Sequence, residues 1–152
     1  MKCCILPALT IALSLTAVDV KGDAAKNDLA ALQGTWVAIS GEVQGQKVND
    51  AALRVFKIVI KGTRITFAGN RESTFELDTA TSPRLIAVTP LDGPRKGKTQ
   101  RAIYSVEKDI LKLCMPGDPT KEGLPPREFT TRPGDGYTLV TFKRDTAARA
   151  GQ

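Results

Sequence analysis

The chain has 152 residues, 41% hydrophobic and 25% charged, with 22 basic against 16 acidic side chains for a formal charge of +6. Length and composition point to one globular domain and exclude a disordered segment; the mild positive charge bears on solubility and non-specific attraction to anions. There is no histidine, which excludes Ser-His-Asp and Cys-His catalysis, histidine ligation of metal or haem, and any side chain whose unperturbed pKa lies near neutrality.

Met1 to about Gly22 reads as a secretory signal. Lys2 supplies a short positive head, and Ile5 to Val18 is mostly apolar and uncharged but too short to span a bilayer comfortably. Val20 and Gly22 supply the small residues that a cut after Gly22 wants. Cys3 and Cys4 precede the apolar run, whereas a lipoprotein cysteine would follow it. The alternative is an uncleaved N-terminal anchor, for which Pro7 and Asp19 speak. Removal leaves 20 basic and 15 acidic side chains, a charge of +5, with no membrane span in the mature chain. Cys114 is then the lone cysteine, so no intrachain disulfide holds the fold.

The mature domain is expected over 23–146, with 147–152 as a frayed tail. Asn27 to Gln33 reads as a brief helical turn: Asn27 or Asp28 caps it, Leu29 and Leu32 share a face, and Gly34 ends it. Such a turn would lie across a barrel mouth beside Trp36. The stretch Leu32-Gln33-Gly34-Thr35-Trp36 then opens the first strand, which runs from Trp36 to Val43. Gly34 admits a φ that other residues avoid, or a close approach. The only tryptophan, Trp36, buries a large apolar area while its N–H needs a partner, which suits a plug at a barrel end.

Gln44-Gly45 turns the chain, and Asn49 caps a second helical turn to Arg54. Seven further strand-length runs follow: Val55 to Lys61, Arg64 to Ala68, Glu72 to Leu77, Arg84 to Val88, Arg101 to Val106, Ile110 to Met115 and Tyr137 to Arg144. Alternation puts Phe56, Ile58, Ile60, Ile65, Phe67, Phe75, Leu77, Leu111 and Leu113 on inward faces. A long loop with four prolines, Pro116 to Pro126, precedes a short edge segment expected at Phe129. The helical runs are too brief for βαβ crossovers, so the sheet is antiparallel. Eight such strands form an all-β up-and-down barrel, because closure removes exposed edges.

The mature chain resembles a family of small, uncharacterised secreted domains that is greatly expanded in planctomycete bacteria and described as lipocalin-like. The resemblance is carried by Leu32-Gln33-Gly34-Thr35-Trp36, Gly41-Glu42, Asp92-Gly93-Pro94-x-x-Gly97-Lys98-Thr99, Ile103-Tyr104, Leu111-Lys112-Leu113-Cys114, Pro126-Arg127-x-Phe129 and Pro133-Gly134. It spans nearly the whole mature domain and implies a lipocalin-like fold and an extracytoplasmic address, but no activity. In lipocalin-like barrels an arginine from the chain's end stacks on the tryptophan of the Gly-x-Trp signature; Arg144 and Arg132 are the candidates here.

Two surfaces emerge for binding. The barrel interior at Trp36, Phe56, Ile58, Phe67, Phe75 and Leu113 would face a small apolar ligand, although these side chains are bulky enough to fill it. The loop Asp92 to Thr99 is charge-dense and glycine-rich, and Arg95, Lys96, Lys98 and Arg101 would contact an anionic envelope polymer or a partner protein. Gly93 and Gly97 are too close for a phosphate-binding loop of the Gly-x-x-x-x-Gly-Lys-Thr type. Cys114, on the face opposite Leu111 and Leu113, is expected to be a small buried hydrophobe. Glu42, Glu72, Glu76, Glu107 and Glu128 include no close pair for acid–base work, so catalysis is not expected unless two meet across strands. No cofactor, metal or nucleic-acid partner is expected.

Overall fold

The computed structural model describes residues 20–117 and 124–147. Residues 1–19, most of the segment expected to be a signal, and residues 148–152 of the expected tail lie outside the described residues, as does part of the proline-rich loop. Helix α1 (Val20–Leu32) leads into β1 (Gly34–Val43). The short β2 (Gln46–Lys47) and α2 (Asp50–Arg54) follow. The chain then forms β3 (Lys57–Lys61), β4 (Arg64–Phe67), β5 (Arg71–Asp78), β6 (Arg84–Pro90), β7 (Gln100–Glu107), β8 (Ile110–Pro116) and β9 (Tyr137–Arg144).

Every strand pairs antiparallel with its neighbour in the order β2-β1-β3-β4-β5-β6-β7-β8-β9, and β9 returns to β1. The eight strands β1 and β3 to β9 therefore form a closed up-and-down barrel, with β2 as a flap on β1. Closure runs from Trp36 opposite Arg144 to Val43 opposite Thr138 and is broken by one bulge between Ala38 and Ser40. The bulge gives β1 one extra residue, Ile39, which stands 51% exposed.

All eight expected strands are present, and Asn49 caps α2 as its sequence suggests: its side chain accepts from the Ala51 N–H at 2.8 Å. Three local expectations need correction. The first helix begins at Val20, not at Asn27, and the cut expected after Gly22 falls in its first turn. Asp28 lies in the helix interior and faces the barrel, so it is not a cap. The segment 127–129 is a bend, not a strand, because the outer edges of a closed barrel are already paired.

Two layers of side chains organise the barrel. Inward positions at period two give the core of Trp36, Ile58, Ile60, Ile65, Phe75, Ile86, Tyr104, Leu111 and Phe142, with Leu32 from α1 and Leu53 from α2 closing over it. A smaller buried set lies on the outside of the wall. Ile103 and Cys114 pair across β7 and β8 and point away from the core, yet they are 1% and 0% exposed. The segment leading to β9 lies against Cys114. The Thr130 carbonyl is 3.9 Å from the Cys114 sulfur, and Thr131 Oγ1 donates to Glu42 and accepts from the Gly45 N–H at 2.9 Å.

Candidate functional site

The two ends of the barrel differ in kind. At one end, where β1 begins and β9 finishes, Trp36 is fully buried and its Nε1–H donates to the Leu32 carbonyl at 2.8 Å. The guanidinium carbon of Arg144 lies 4.1 Å from the centroid of the Trp36 ring. Arg144 also donates to the carbonyls of Gln33 and Ala31 and to Asp109 Oδ1, so one side chain ties the last turn of α1, the β7–β8 hairpin and the final strand together. This contact explains Gly34. Its φ is +116°, and a Cβ there would sit 3.1 Å from Arg144 Nη1. Of the two candidate arginines, Arg144 is the partner; Arg132 is exposed and meets Glu128 instead.

The same end holds a polar latch that sequence reasoning missed. Asp28, 7% exposed, accepts from Arg84 Nη1 with both carboxylate oxygens at 2.7 Å and from the Tyr104 hydroxyl at 2.6 Å. Burial, then the bond to Asp28, holds the Tyr104 phenol well above its ordinary pKa. Gln33 completes the closure: its Nε2 donates to the Leu29 and Gly62 carbonyls while its Oε1 accepts from the Gly62 N–H at 2.7 Å. The available signal was Asp28 at i, i+4 from Leu32, a carboxylate on the apolar side of a short helix.

The structure gathers Trp36, Phe56, Ile58, Phe67, Phe75 and Leu113 around one core. Trp36, Ile58 and Leu111 have no surface that water reaches, and Ile60, Ile65, Ile86 and Phe142 have 1% each. A ligand-sized hollow would leave its walls accessible, so this part of the interior is filled by its own side chains. Phe56, Phe67, Val88 and Met115 are only partly buried. Phe67, Val88 and Met115 lie at the opposite end, where β4, β6 and β8 finish.

That second end carries the basic loop. Lys96 and Lys98 are exposed on it, and Arg101 is exposed on the outer face of β7, opposite Ala87. Arg95 does not join them: it is half-buried and its Nη2 donates to Gln100 Oε1 at 3.2 Å. Gln100 belongs to the inward series of β7 that continues through Ala102 and Tyr104, so Arg95 turns to the mouth while Arg101 turns to the outer wall.

Two open pockets lie on the outside of the barrel. One of about 410 Å³ lies against Pro125, Pro126, Thr130 and Tyr137, and one of about 310 Å³ runs over β5 and β6 between Thr74 and Thr89. Glu42 and Glu72 are engaged with Thr131 and Arg64, and Glu128 lies 3.5 Å from Arg132. No group of three potential metal ligands stands together among the described residues, and no helix there is long and apolar enough to cross a membrane.

Burial pushes the Cys114 thiol up to about 11, with the charges of Asp135 and Glu42 adding to it. Native protein at pH 8 should therefore react with iodoacetamide far more slowly than denatured protein, read by intact mass. The folded thiol holds its proton more tightly than the unfolded one, so its contribution to stability is fully present below about 9 and is lost as pH rises through about 11. Cys114→Ala should remove part of that alkaline loss. Rapid labelling of the native thiol would show that the covering segment lifts away.

Searches against models of known protein families, curated proteins and solved structures found no match to this chain.

Proposed function

We propose that the protein is an exported, non-catalytic, lipocalin-like interaction module that works through its loop-bearing end and outer surface. The observation that carries this reading is the contrast between the two ends. The Trp36 end is closed by α1, Arg144 and the Asp28 latch, and its side chains are inaccessible. The opposite end presents Lys96, Lys98 and Arg101 to solvent beside partly accessible apolar side chains. A small apolar ligand would meet the partly buried side chains of Phe67, Val88 and Met115 at that end. The export address rests on the N-terminal apolar run with Lys2 before it. The likeness to the planctomycete-expanded secreted family fits both the barrel and that address. The partner we favour is an anionic envelope polymer, because the mature charge is positive and the exposed loop cations are unpaired among the described residues.

Two measurements test this. Native mass spectrometry of protein purified from its own host should show no tightly bound apolar mass; a stoichiometric one would replace this reading with that of a carrier. Retention on a carboxylated polysaccharide matrix should fall steeply as salt rises from low to physiological strength, since contacts between exposed charges are screened over about 10 Å. Retention unchanged by salt would remove the electrostatic account.

A further inference from the structure

A guanidinium keeps its charge at every accessible pH and carries five donors, so a half-buried arginine needs acceptors. Arg64, Arg84, Arg132 and Arg144 each have a carboxylate within ion-pair distance. Arg95 has none among the described residues, and its Nε is buried with no acceptor. On the same edge of the guanidinium, Nη2 reaches only the neutral Gln100 Oε1, at 3.2 Å. Gln100 is itself fixed, because its Nε2 donates to the Pro116 carbonyl. The edge turned to Gln100 therefore offers two parallel donors to one long, uncharged acceptor. Its surroundings are built: the loop root is held by Leu91 N–H to the Glu72 carbonyl and Gly97 N–H to the Pro90 carbonyl, both 2.9 Å. Val88, the cross-strand partner of Gln100, is partly buried and apolar.

We propose that this edge of Arg95 is an oxyanion-binding site at the barrel mouth, for the carboxylate or phosphate of a small organic anion. The two oxygens of such a group match the spacing of Nε–H and Nη2–H, and they would replace Gln100 Oε1 as acceptor. Lys96 and Lys98 on the same loop raise the local concentration of anions without fixing their geometry. Val88 gives a short apolar tail a place beside the head group. The site rests on the reading of the loop-bearing end as the working surface, and it supplies that surface with a ligand class.

The test follows the Arg95 Nε–H signal by nitrogen-edited NMR while inorganic phosphate, hexanoate or chloride is added at matched ionic strength. A saturable shift with phosphate or hexanoate and none with chloride is expected; tighter binding of hexanoate would assign the apolar contact, and tighter binding of phosphate the free ion. Arg95→Lys keeps the charge but removes the edge, so calorimetry should find affinity for the same anion at least about tenfold weaker. Its salt-dependent retention on the carboxylated matrix should persist, since Lys96, Lys98 and Arg101 remain. No saturable shift, a shift that chloride reproduces, or unchanged affinity in Arg95→Lys overturns the site. If the site fails while matrix retention survives, the reading of the loop-bearing end stands; if both fail, both fall.

Discussion

Trp36→Ala should lower the unfolding free energy by about 3–5 kcal/mol, the range for truncating a large buried aromatic side chain. The ring has no accessible surface, so the substitution leaves a cavity under α1 with little freedom to collapse. It also removes the donor to the Leu32 carbonyl, and it leaves the Arg144 guanidinium without the face it covers at 4.1 Å. A domain of this size has only about 5–15 kcal/mol in total, so the variant should melt far lower or fail to accumulate. Arg144→Ala should cost less: it loses a stacking contact of about 0.5–2 kcal/mol and its carbonyl bonds but opens no comparable void. The two effects should not add, because in the double mutant the arginine and the ring are both absent. Chemical denaturation of the two single variants and the double measures the coupling. A Trp36→Ala protein as stable as its parent would refute the view that this residue closes the barrel.

The legible parts of this fold share a cause. Period-two alternation in Ile58-Val59-Ile60 and Leu111-Lys112-Leu113 marks a wall with one wet and one dry face, and those residues point inward as expected. Trp36 was legible as a plug from its size and its place after Gly34; its arginine partner was expected only from the resemblance to lipocalin-like barrels, with Arg132 as the other candidate, and closure of the barrel sets Arg144 directly opposite Trp36. Cys114 was legible as a buried thiol, but what buries it was not. Its cover is an aperiodic, proline-rich segment anchored by Thr131 on Glu42 and Gly45, contacts that no local pattern announces. The first helix was read as too short because its early residues resemble the approach to a cleavage site. Arg95 was grouped with Lys96, Lys98 and Arg101 on charge alone; whether a cation on a loop faces solvent or the mouth depends on how the loop folds back, here through Gly97 on Pro90.

The polar latch at the closed end is the other place where a single change should have a large effect. Asp28→Ala should destabilise by about 1–3 kcal/mol, because it strands the buried Tyr104 hydroxyl without its acceptor. The loss of Arg84 from the other side adds little, since that side chain is 46% exposed and regains water. Tyr104→Phe alone should cost less, about 0.5–1.5 kcal/mol, as it removes a donor and leaves Asp28 its arginine. The order of the two changes distinguishes a latch from a bystander. In the Asp28→Ala background the Tyr104 hydroxyl is a liability, so removing it there should be neutral or stabilising. Denaturation of the four proteins in this cycle gives the coupling directly. Amide exchange adds a local readout: α1 should lose protection in Asp28→Ala before the barrel strands do, because Asp28 joins the helix to β6 and β7. If Tyr104→Phe costs the same in both backgrounds, or if α1 and the strands exchange together, the helix is held by Leu32, Gln33 and Arg144 and the carboxylate has no part in closing the barrel.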